Sequence, residues 1–147
     1  MSTATATPLP PNPLDGETYR LALPSTACAA KLARDFIASL LNLSSHRDLV
    51  DDARLCVTEV VTNAHRHTRT SVIGVEAIVL HSRVTVAVTD DAHWALPEPT
   101  DFRVEPERIG GQGLLLVERL ALAWGATILG GGVPSRKAVW FTLGSAS

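Results

Sequence analysis

Two β-branched runs, Ser71 to Leu80 (SVIGVEAIVL) and Arg83 to Asp90 (RVTVAVTD), are separated by only His81 and Ser82. A gap that short admits a tight hairpin, whereas joining two parallel strands takes a crossover of about a dozen residues or more. The chain is therefore committed to an antiparallel sheet with these two strands near its centre.

The remaining sequence arranges itself around that hairpin. Glu17 to Leu23 (ETYRLAL) alternates like an edge strand and stops at Pro24, with Ser25 or Thr26 placed to cap a helix. Leu32, Phe36, Ile37, Leu40 and Leu41 recur at helical spacing and predict a first helix with one buried stripe. A second and longer helix, from about Ser45 to His67, buries Leu49, Ala53, Val57, Val60, Val61 and Ala64 and is polar on its other side. From Asp91 to Gly113 prolines and charges predict a long loop, after which LLLVERLALA supplies a third helix. Trp124 to Leu129 and Lys137 to Leu143 read as closing strands, joined through Gly130, Gly131, Gly132 and Pro134.

That order predicts an α+β protein, a two-layer α/β sandwich whose mostly antiparallel mixed sheet carries three helices on one face. A doubly wound parallel sheet is excluded, because its strands and helices would alternate one for one. With 46% hydrophobic residues in 147, a single core is affordable in one domain, here residues 17–147. Residues 1–16 hold four prolines among small residues and read as a flexible tail.

Composition narrows the function by exclusion. A net charge of -2 gives no electrostatic reason to bind nucleic acid or an anionic membrane surface. No apolar run reaches the roughly 18 to 20 residues of a spanning helix, and no signal peptide opens the chain, so a cytoplasmic protein is expected. Cys28 and Cys56 form no Cys-x-x-Cys pair, which argues against a disulfide framework or a zinc site. His65 and His67 lie two apart on a helix, about 200° around the axis, and cannot share a metal there.

Three features carry chemistry. Glu59, Asn63 and His67 stand at i, i+4 and i+8 on the polar side of the second helix, a row of carboxylate, carboxamide and imidazole. A solvated helix face is the bland alternative, although the Asn63 carbonyl oxygen also suits a hard cation such as Mg²⁺. Asp90 ends a strand where a loop begins, a place for a turn carboxylate or for an acceptor of an exocyclic amine such as adenine offers. Gly110, Gly111, Gln112 and Gly113 precede a helix, where backbone amides and the helix N-terminus favour phosphate oxygens. The dinucleotide and P-loop patterns both fail here.

Taken together these residues resemble the GHKL ATPase superfamily. TEVVTNAHRHT is similar to its N box, E-L-x-x-N-A-x-x-H, and the likeness extends to V-T-D at Val88 to Asp90, G-Q-G-L-L-L-V at Gly111 to Val117, Trp124-Gly125 and K-A-V-W at Lys137 to Trp140. The likeness spans roughly Ser25 to Leu143 and is nearest to the short actinobacterial anti-sigma-factor serine kinases. The resemblance implies a histidine-kinase-like ATPase fold binding ATP with Mg²⁺. It implies that Asn63 holds the metal, Glu59 is the catalytic general base and Asp90 takes the adenine amine, with Gly111, Gly113 and Leu114 at the nucleotide under a phosphate-covering lid. As partners it implies an anti-anti-sigma regulator phosphorylated on Ser or Thr, a sigma factor, and a second copy in a homodimer. Two departures from the family pattern stand out: Asp90-Asp91-Ala92-His93-Trp94 lacks both glycines of D-x-G-x-G, and Ala138 replaces a Thr that makes a water-mediated adenine contact. A catalytically inactive nucleotide-binding or protein-interaction module is the alternative reading.

Overall fold

The computed structural model describes residues 16–67, 70–90, 112–129 and 136–144. In chain order the elements are β1 (Glu17–Pro24), α1 (Ala29–Leu43), a single 3₁₀ turn (Arg47–Leu49), α2 (Val50–His67), β2 (Val72–Val79), β3 (Arg83–Asp90), α3 (Gln112–Leu120), β4 (Ala123–Leu129) and β5 (Arg136–Gly144). The proline-rich start, the Asp91 to Gly111 stretch and the Gly130 to Pro134 connection lie outside the described residues.

The hairpin forms as its spacing demands. Leu80 N–H donates to the Arg83 carbonyl at 2.8 Å, closing a turn whose two central residues are His81 and Ser82. The sheet order is β1-β2-β3-β5-β4, with every neighbouring pair antiparallel. The expected mixed sheet is thus antiparallel throughout among the described strands; β2 and β3 are internal and β1 is an edge. Strand β5 slots between β3 and β4, so the one non-local pairing of the closing hairpin is made by its last strand.

Alternation along the strands decides which face is covered. Ile73, Val75, Ala77 and Val79 on β2, and Val84, Val86 and Val88 on β3, are buried, while the residues between them are not. The helices lie over that buried face, α2 packing against both α1 and α3 as well as β3. The second helix starts at Val50 instead of about Ser45; it buries Ala53, Val57, Val60, Val61 and Ala64 of the expected stripe plus Cys56, while Leu49 is buried from the preceding 3₁₀ turn.

The first helix departs from expectation at one end. Its buried row is Ala29, Ala33, Ile37 and Leu41, an i, i+4 ladder, whereas Leu32 is 47% exposed. Two alanines at the start of the row let the helix come close to its neighbours, and the row's tilt turns Leu32 outward. The cap also differs: the N-cap is Cys28, without a side-chain cap, and Thr26 instead accepts from Cys28 N–H through Oγ1 and from Ala29 N–H through its carbonyl. The α1 to α2 corner is fixed by His46, which is buried and lies with Nε2 2.7 Å from the Leu80 carbonyl. Because a carbonyl only accepts, that nitrogen carries the hydrogen.

Candidate functional site

Glu59 and Asn63 emerge one turn apart on α2, both half-buried, as their spacing predicts. Glu59 also borders a surface cleft of about 500 Å³ lined by Arg34 of α1 and by Asp51, Arg54, Leu55 and Thr58 of α2. Arg34 Nη1 donates to Thr58 Oγ1 at 3.1 Å, holding one wall of the cleft in place. Asn63 and Asp90 are not among its lining residues. His67 ends α2, and its side chain lies outside the described residues.

Asp90 is placed by strand parity. The inward positions of β3 run Val84, Val86, Val88 and then Asp90, which is 1% exposed. Directly across on β5 the inward positions run Leu143, Phe141, Val139 and then Lys137, 6% exposed. Lys137 Nζ lies 3.7 Å from Asp90 Oδ2, so the apolar column of the sheet ends in an ion pair. Withdrawing two such charges from water costs several kcal/mol per ion, roughly, which mutual attraction repays only with additional polar partners. Beside the pair, Thr89 faces Ala138 on the outer side and accepts from Arg136 Nη2 at 3.0 Å.

The glycine-rich segment is only partly in view. Gly110 and Gly111 lie outside the described residues, Gly113 falls in the first turn of α3, and Leu114 is buried in the core cluster with Val117. The structure therefore joins Glu59 to Asn63 on one helix and Asp90 to Lys137 across two strands, with α2 packed against β3 between them.

Sequence reasoning missed Lys137 and the arginine-lined cleft. Lys137 did leave a signal: it is one of only two lysines in the chain and shares parity with Val139, Phe141 and Leu143. It also missed the pairing of His65 with Ser25, whose Oγ lies 2.9 Å from Nδ1 and ties the end of β1 to α2.

The donor set fits magnesium better than a metal caged by protein alone. Among the described residues no group of three or more His, Cys, Asp and Glu side chains is arranged around a metal position. Mg²⁺ commonly takes one or two protein oxygens and completes its shell with phosphate oxygens and water, and the half-buried Asn63 carboxamide suits that division.

An antiparallel sheet covered on one face by three helices, with Glu59 and Asn63 on the central helix and Asp90 at the end of a strand that packs against it, is an α+β sandwich. A family model for the histidine kinase-like ATPase domain matches residues 23–127, and the chain belongs to that family. No curated protein matches it. Membership makes this an ATP-binding fold, within the wider GHKL-like superfamily. No helix among the described residues is long and apolar enough to cross a membrane.

Proposed function

We propose that this domain is a regulatory protein serine/threonine kinase that transfers phosphate from Mg-ATP to a partner regulator. The observation that carries the reading is a buried carboxylate, Asp90, at the end of a strand that packs against the helix bearing Glu59 and Asn63. Asp90 accepts the adenine amine, Asn63 Oδ1 ligates the metal, and the amide groups at the start of α3 around Gly113, with Gly111 before it, face phosphate oxygens. Bound Mg-ATP supplies the phosphoryl group and neutralises charge on it during transfer. Glu59 is the general base that takes the proton of the acceptor hydroxyl, and its position at the rim of an open cleft leaves it within reach of a second protein. An anti-anti-sigma regulator is the proposed acceptor and a sigma factor the competing partner, with a homodimer as the working assembly and the cytoplasm as its place of action.

A second reading keeps nucleotide binding without transfer: ATP biases the shape of an interaction surface. The replacement of Thr by Ala138 and the presence of Lys137 against Asp90 favour it. Mg-ATP titration of the wild type beside Asn63→Ala and Asp90→Asn, followed by phosphotransfer to a candidate regulator, separates the two. Binding lost in Asp90→Asn, metal dependence weakened in Asn63→Ala and transfer abolished in Glu59→Gln support the kinase. Binding without transfer to any acceptor supports the module, and no binding at all removes both.

A further inference from the structure

The open cleft beside Glu59 extends well past that residue. Along α2 it runs from Glu59 through Thr58, Leu55 and Arg54 to Asp51, a span of about 12 Å at the helical rise, and Arg34 of α1 faces it from across the groove. Arg34 Nη1 donates to Thr58 Oγ1, which fixes that guanidinium at the level of Glu59; among the described residues Arg34 makes no other hydrogen bond or ion pair, and exposed Arg54 makes none. The carboxylates nearby do not quench them. Asp35 is committed to Lys31, whose Nζ donates to Oδ2 at 2.9 Å, and Asp51 and Glu59 stand at the two ends of the cleft without an ion pair to either arginine. The Asp35 carboxyl is held below its usual range by the Lys31 hydrogen bond first and then by the charges of Lys31, Arg34 and Arg54, so the two guanidinium groups act on one region of the surface. The cleft is thus basic in its middle and acidic at its ends, with Leu55, 48% exposed, as apolar floor.

We propose that this cleft docks the acceptor polypeptide by one acidic side chain: an Asp or Glu of the acceptor, one to three residues from the hydroxyl that meets Glu59, is held by Arg34 and Arg54. The inference rests on Glu59 as the general base. Arg34 lies level with Thr58, and Arg54 stands about 7.5 Å along the axis from Glu59, the length of roughly two residues of extended chain. A guanidinium presents a fork of donors that matches a carboxylate, so two of them side by side favour an anionic side chain over an amide and reject a cation. Asp51 at the far end opposes a second carboxylate there, which makes a single acid near the hydroxyl a better fit than an acidic run.

The test uses short fluorescein-labelled peptides with a central serine in an alanine and glycine background, carrying Asp, Asn or Lys two residues before or after it, in anisotropy titrations of the full chain with Mg-ATP. The wild type is expected to bind the better Asp peptide about tenfold more tightly than its Asn counterpart, the worth of one hydrogen-bonded charge contact, and the Lys peptide least. Arg34→Gln and Arg54→Gln each lose most of that preference, and Arg54→Glu, an exposed change, moves it towards Lys. Equal binding of the Asp and Asn peptides by the wild type overturns the proposal and depends on no variant. A preference that survives Arg34→Gln and Arg54→Gln together also overturns it. The parent reading fails differently: an Asp peptide bound through the arginines, yet given no phosphate by the wild type, supports the docking contact and removes Glu59 as general base.

Discussion

Gly125 and Trp140 face each other in the β4–β5 register, and their contact allows a prediction worked from distances. A Cβ added at Gly125 would stand 2.9, 3.1 and 3.2 Å from Cζ2, Cε2 and Nε1 of the Trp140 indole. Carbon atoms prefer about 3.5 to 4.0 Å, so the ring must move away by roughly half an ångström or more. An indole is rigid and three of its atoms are involved at once, so no rotation of a distal group relieves the overlap. Overpacking of this kind costs about 1–3 kcal/mol. Replacing a glycine returns about 0.4–1 kcal/mol by restricting the unfolded chain. Trp140 is half-buried, which gives the ring some room on its solvent side and keeps the net near the lower half of the range. Gly125→Ala should therefore lower stability by about 1 kcal/mol in urea unfolding followed by far-ultraviolet circular dichroism. Trp140→Leu removes the ring, and in that background Gly125→Ala should change stability by less than about 0.5 kcal/mol, a coupling of about 1 kcal/mol. The same loss in both backgrounds, or none in either, would refute the steric argument.

Other expectations follow from burial and charge. Ile37→Ala, at a fully buried position of α1, should cost about 2–5 kcal/mol in the same assay, whereas Leu32→Ala, on the exposed side, should cost far less. Burial pushes the Cys56 thiol up to about 12, with the Asp52 charge adding to the effect. In the native protein Cys28 should therefore react with a thiol reagent near pH 8 and Cys56 only on unfolding, as mass spectrometry of labelled protein would show. Since the raised folded value means that the unfolded chain loses its Cys56 proton first, this group's contribution to stability is present below about pH 8.5 and declines as pH rises towards 12. A melting temperature that climbed across that window in Cys56→Ala relative to the wild type agrees; a constant difference does not. Glu59→Gln, half-buried and exposed to the cleft, should leave the melting temperature within a few degrees of wild type while abolishing phosphotransfer.

How far the sequence discloses the molecule depends on whether a feature is local. The hairpin of β2 and β3 was forced by a two-residue gap, and α2 announced itself because its buried stripe is built of Val and Ala at helical spacing. The α1 stripe was misplaced at Leu32 because apolar weight was assigned by size. Ala29 and Ala33 carry little hydrophobic signal, yet they occupy the row that faces the core. Glu59 and Asn63 shared a face legibly, being one turn apart on one helix. The Asp90–Lys137 pair was not legible, since it requires knowing that β5 crosses to lie beside β3 and in which register. The Arg34 wall of the cleft likewise depends on how α1 crosses α2, a tertiary relation that neither helix encodes alone.

The parity that buries Val88 and Val139 is the same parity that turns Asp90 and Lys137 inward. Since side chains alternate with a period of two, slipping either strand by one residue would expose its valines and turn its charged residue away in a single stroke. Correct assembly of the sheet and readiness of its polar end are thus one event. A one-residue slip therefore cannot misalign the pair while leaving the layers intact, and a product with that error would betray itself by instability.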